Sequence, residues 1–172
     1  MTQPTIICFA FEDSGSPGET PIPKIFLRTL LFSTSKRGRI IESMYVALSR
    51  NESLQNFNIW GYGDDKLVRG SGLFVGENGF AANHHFLAPR DSSSFRFIEG
   101  RYKLEVFARL LGDKTQTRLF SQGLEITRDL AMSLSEPTAG LFFDWGPDSF
   151  RYLPHIDQKP SPEKFLQMLG IK

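Results

Sequence analysis

Imidazole is scarce in this chain of 172 residues: His84 and His85 stand side by side, and His155 is the third and last. Neutral imidazole nitrogens and carboxylate oxygens are common donors to zinc, so two of these histidines with Asp144, Asp148 or Asp157 form a candidate metal centre. The set carried forward is His84, His85, His155 and Asp144, which suits a metal-dependent or other hydrolase. The spacing constrains it. Neither HxH nor HExxH occurs, and neighbours on a strand point to opposite faces, so only one of His84 and His85 can join His155.

A second concentration of candidates lies between Gln55 and Pro89, where glycines, a tryptophan and a GSG turn fall together. Residues 70–72 are not followed by the lysine that a phosphate loop needs, and Arg69 and Leu73 break the G-x-S-x-G frame of a nucleophile elbow. Ser71 therefore lacks a nucleophile's setting, and a bulge or tight turn is the expected role. Trp60, Tyr62, Phe74 and Phe80 can form an aromatic platform for a sugar or peptide. Trp60 and Tyr62, beside glycines at a strand end, are expected to be the most exposed. With Asp64 and Asp65 they make the candidate ligand-binding set. Asp64, Asp65 and Asp91 can also hold calcium in a loop, although adjacent aspartates commonly sit in solvated turns. In DWGPD, residues 144–148, Trp145 can wall one of two carboxylates for acid and base work. A core tryptophan with flanking turn acids is the simpler reading.

Composition bounds the function classes. Hydrophobic residues make up 40% and charged residues 23%, as in ordinary globular chains, so neither wholesale disorder nor a membrane protein is indicated. The 16 phenylalanines lean toward a β-rich core. A formal charge of +1 with dispersed Lys and Arg argues against a nucleic-acid partner. Lys36, Arg37 and Arg39 read as a solvated turn. The single Cys8 rules out an internal disulfide and is expected to be a buried thiol. No basic and apolar leader and no bilayer-length apolar run occurs. The expectation is a cytoplasmic protein with no cofactor and no membrane association.

The elements that position these residues read as strands. Thr5 to Phe11 is an apolar strand, followed by a loop dense in Gly, Pro and Ser over residues 12–23. Lys24 to Ser33 and Arg39 to Arg50 are strands joined by a short polar turn, which predicts a hairpin. Phe57 to Leu87 reads as a three-stranded meander, with Lys66 to Val75 as one strand interrupted by Gly70 and Gly72. Alternation is clearest in FRFIEGRYKLEVFARL, residues 95–110: Tyr102, Leu104, Val106 and Ala108 share one face, Lys103, Glu105 and Arg109 the other. Thr117 to Thr127 alternates again. Arg128 to Leu134 reads as a strand or one helical turn, and strands follow near Leu141 and Ser149. Ser161, Pro162 and Glu163, with Gly170 as the stop, predict a short C-terminal helix carrying Phe165, Leu166 and Leu169.

The spacing F-x-x-G-x-Y-x-L-x-V, from Phe97 to Val106, resembles a late strand of immunoglobulin-like sandwiches, in which the tyrosine docks near the strand start. The likeness covers about ten residues and implies a fold class only. The fold expected is an all-β antiparallel sandwich of eight to ten strands in one domain over residues 1–172, immunoglobulin-like or jelly-roll, with a short C-terminal helix. The function expected is a non-enzymatic binding or interaction module that engages a protein or carbohydrate through loops or a sheet edge. An edge strand can also make a homo-oligomer. The hydrolase built on the histidines is the alternative.

Overall fold

The structure, a computed structural model, describes residues 1–12, 20–63, 67–92, 94–135 and 138–158. One antiparallel sheet has seven strands. Edge to edge they are β12 (Arg151–Gln158), β11 (Ala139–Gly146), β1 (Ile6–Glu12), β2 (Ile22–Leu31), β8 (Phe80–Leu87), β5 (Ile59–Tyr62) and β6 (Val68–Arg69). The second sheet, of five strands, runs β10 (Thr117–Ile126), β9 (Gly100–Leu110), β3 (Arg39–Arg50) and β4 (Ser53–Phe57), with β7 (Leu73–Val75) also paired to β3. Among the described residues the two sheets form an all-β sandwich of twelve strands, two more than the upper expectation. Its short helix, α1 (Arg128–Leu134), is capped by Thr127, whose hydroxyl accepts from the Leu130 amide. The C-terminal helix expected over 161–170 lies outside the described residues.

Period-two alternation builds the core. Ile7, Phe9 and Phe11 of β1 turn inward toward Tyr102, Leu104, Val106 and Ala108 of β9, all in one cluster. Phe9 is fully buried, stacks on Phe97 with ring centroids 4.9 Å apart and meets Phe143 edge-on at 5.4 Å. Each such side chain stabilises the fold by about 1.5–3 kcal/mol. Phe95 and Phe97 precede β9 and still turn into the core. Tyr102 fastens this approach: its hydroxyl accepts from the Ile98 amide at 3.0 Å and donates to the Ile98 carbonyl at 2.8 Å. These bonds tie the strand back to a residue four positions upstream.

Two local expectations are corrected. β2 and β3 are not a hairpin, since β2 pairs with β1 and β8 whereas β3 pairs with β4, β7 and β9. Both strands carry an apolar inward face, Ile25, Leu27 and Leu31 on one and Met44, Val46 and Leu48 on the other. Placing them in opposite sheets turns both faces into the same core, so the connection crosses the sandwich. The run from Lys66 to Val75 likewise splits into β6 in one sheet and β7 in the other. Its glycines mark that crossing. Gly72 has φ +69, and at Gly70 the Trp60 indole lies where a side chain would begin: a Cβ there would come within 2.1 Å of the ring.

The sheet edges are blunted. β4 has five residues and β6 two. β10 carries a bulge between Arg118 and Phe120. On β12, Pro154 sits opposite Phe143, and the Trp145 amide, of the same parity as Phe143, donates to Thr5 on the β1 side. Phe143 therefore bonds toward β1, and Pro154 has its nitrogen facing outward, where the missing N–H removes a donor from the edge. Among the described residues no helix is long and apolar enough to cross a membrane.

Gly70→Ala is expected to destabilise the fold by about 1–3 kcal/mol, because the buried indole has to shift, while Ser71→Ala next to it leaves stability unchanged. Urea midpoints of the two variants check this, and equal midpoints refute the packing role of Gly70.

Candidate functional site

The adjacent histidines go to opposite sides of the seven-stranded sheet. His84 faces the core and is 1% exposed. Its Nδ1 accepts a hydrogen bond from Trp60 Nε1 at 3.3 Å, which puts the proton of the neutral ring on Nε2. Among the described residues, that buried Nε2 has no hydrogen-bond partner. The rings of Trp60, Tyr62 and Phe80 surround it at centroid distances of 5.4 to 6.2 Å from one another and from the imidazole. Burial, and then the neighbouring His85, hold the His84 pKa down at about 4. Trp60 is thus 4% exposed, not an exposed platform ring, because its indole N–H finds its acceptor inside the core. Tyr62 and Phe80 are half-buried against the same core, and Phe74 alone of the four stands out, at 60% exposure.

His85 lies on the outer face with His155 but does not meet it. The register places His155, Phe142, Cys8, Phe26 and His85 in one row across five neighbouring strands. Four strand spacings separate the two imidazoles, about 19 Å. Aromatic contacts tie the row together: His155 stacks on Phe142 at 5.4 Å, Phe142 meets Phe26 at 5.9 Å, and Phe26 stacks on His85 at 5.5 Å. Asp144 does reach His155, with Oδ2 3.3 Å from Nδ1. That pair is all of the expected metal set that comes together. The described residues hold no group of three or more His, Cys, Asp or Glu side chains arranged to bind a metal. Asp157 lines a shallow hollow of about 210 Å³ above Cys8, Phe26 and Phe142. Asp64 and Asp65 lie outside the described residues, Asp91 sits in a short 3-10 turn, and Ser71 and Asp148 are exposed in turns.

One cavity was not singled out from the sequence. It measures about 310 Å³ and opens at the end of the sandwich where β2 ends and β3 begins. Its interior is apolar, built by Leu31, Ile41, Val75, Leu110 and Leu119 from five different strands, with Met1 beside them. The lip is the crossing loop itself, with Phe32, Ser33, Thr34 and Ser35, and Arg39 stands at the mouth. Hydrogen bonds fix this loop: the Ser33 amide donates to the Gly76 carbonyl at 3.1 Å, and the Ser35 amide to Ser33 Oγ at 3.1 Å. Arg39 Nη2 donates to both carboxylate oxygens of Asp113, at 3.2 and 3.0 Å. Tyr45 Oη donates to Gln116 Oε1 at 2.8 Å, holding the β9 to β10 connection. The sequence signal for the site was the small basic patch of Lys36, Arg37 and Arg39, of which Arg39 lines the cavity.

The buried imidazole makes stability depend on pH. His84 stays neutral in the fold down to about pH 4, whereas an unfolded histidine takes up its proton near 6.5. The unfolded chain therefore binds more protons between these values, and stability is lost as pH falls from 6.5 to 4. Relative to His84→Phe, the wild type is expected to lose about 3 kcal/mol over that window. Urea unfolding at half-unit pH steps measures it, and parallel profiles for the two proteins contradict it.

Compared with protein-family models, with curated proteins and with solved structures, the chain matches none.

Proposed function

We propose that the chain is a non-enzymatic binding module that takes a small, largely apolar ligand into the cavity at the loop end of the sandwich. The observation that carries this reading is the cavity itself: about 310 Å³, with apolar walls from five strands and a mouth of hydroxyls and one guanidinium. Small-molecule sites have this make-up, a concave apolar interior with a few convergent polar groups, and begin at about this size. Exposed Phe32, Phe74 and Leu111 lie at the same end, at 44%, 60% and 59% exposure. They give a protein partner an apolar rim to touch once the cavity is filled.

Of the two engagement modes read from the sequence, loops have the better support. A sheet-edge partner, or a homo-oligomer made that way, meets the short β4 and β6, the bulge in β10 and the outward nitrogen of Pro154. A carbohydrate platform has lost Trp60 to the core. The hydrolase alternative lacks an assembled set, since only His155 and Asp144 approach one another. The immunoglobulin-like class stays part of the proposal on the strength of the bonds between Tyr102 and Ile98, and a cytoplasmic location on the strength of the lone buried thiol of Cys8.

A neutral fluorescent probe, N-phenyl-1-naphthylamine, tests the reading. Saturable enhancement at one probe per chain is expected, and Leu119→Trp, which fills the cavity from the bulged edge strand, should weaken it at least tenfold. Absence of saturable binding, or equal binding by the variant, overturns the reading.

A further inference from the structure

The geometry points to a single-chain alkyl carboxylate of about eight to ten carbons as the ligand of the end cavity, tail inward and carboxylate on Arg39. This inference rests on the binding-module reading and names its ligand class. Three observations carry it.

The first is volume. About 310 Å³ holds roughly ten groups of water size at about 30 Å³ each, which fits one medium-length alkyl chain and excludes a two-chain lipid. The second is polarity along the axis. The interior side chains Leu31, Ile41, Val75, Leu110 and Leu119 offer a tail no hydrogen bond, and the polar groups of the site are gathered at the mouth.

The third is charge. The loops at this end, residues 32–38, 76–79 and 111–116, carry Lys36, Arg37 and Lys114, and Arg39 follows at the start of β3; their acids are Glu77 and Asp113. Four cations against two anions lie on the loops and strand start at this end, in a chain whose overall formal charge is only +1. Arg39 is the basic side chain among the residues that line the cavity. Its bonds to Asp113 both come from Nη2, which leaves the Nη1 donors of the planar fork for a second carboxylate without breaking the first pair. Guanidinium is the side chain suited to that task. A neutral occupant leaves this charge uncompensated at the mouth, and a cationic one is repelled by it.

Displacement of bound N-phenyl-1-naphthylamine by hexanoate, octanoate, decanoate, 1-octanol and octyltrimethylammonium tests the inference. Carboxylate affinity is expected to rise about fourfold per added methylene and to level off near ten carbons, with octyltrimethylammonium the weakest eight-carbon competitor. Arg39→Gln should weaken octanoate about tenfold and leave 1-octanol unchanged. Asp113→Asn, which removes the competing anion, should tighten octanoate. Octanoate binding indifferent to Arg39→Gln, or octyltrimethylammonium equal to octanoate, overturns the inference while the module reading stands. If the probe itself does not bind, the module reading falls and this inference with it.

Discussion

Two sheets share one core, and the two-residue period of the pleat assigns each strand residue to the core or to the outside. That constraint decides where chemistry can occur in this molecule. It sends His84 inward to Trp60 and His85 outward to Phe26. It puts Phe9 into the core beside Cys8, which turns to the outer row. An inward histidine is desolvated, so it remains neutral and structural. The outward His85 and His155 stand about four strand spacings apart on their face of the sheet. No local rearrangement joins them, because a one-residue slip of β8 exchanges the faces of its whole apolar set.

The same constraint explains why the ligand cavity lies at an end. The middle of the sandwich is filled by rings, among them Phe9, Phe57, Phe86 and Phe143, all at 1% exposure or less. At the end where β2 leaves one sheet and β3 enters the other, the chain has to cross between sheets, and the crossing segment is a loop. The wall is then made by strand termini and the lip by Phe32 to Ser35. Rigid walls with an adaptable lip suit binding, since the scaffold fixes the cavity and the loop supplies the polar contacts.

Strands were legible where periodicity was local. Residues 100–110 alternate without interruption, and the observed β9 follows that pattern with Tyr102, Leu104, Val106 and Ala108 inside. Of the DWGPD acids, Asp148 lies in a turn as read, whereas Asp144 lies within β11; the GSG segment is the bend between β6 and β7. Pairing was less legible, because a short polar connection fits both a hairpin and a crossing between sheets. Residues 32–38 are the crossing. Trp60 was placed outside on the strength of its glycine neighbours, yet Gly70 is there because the indole occupies the space above it. The cavity left almost no trace in the sequence. Its five apolar walls are spread from Leu31 to Leu119 and converge only through non-local pairing, while Lys36, Arg37 and Arg39 look like any solvated turn until Arg39 is seen lining the cavity.

The central claim is that a ligand enters between the sheets at this end, and methyl-resolved NMR with 1-octanol tests it without relying on charge. The account predicts saturable shifts for the methyl groups of Ile41, Val75, Leu110 and Leu119, with those of Ile7 and Leu104 in the aromatic core unmoved. Shifts centred on Ile6 and Leu153, on the outer face with the aromatic row, or no saturable shift at any methyl, would contradict it.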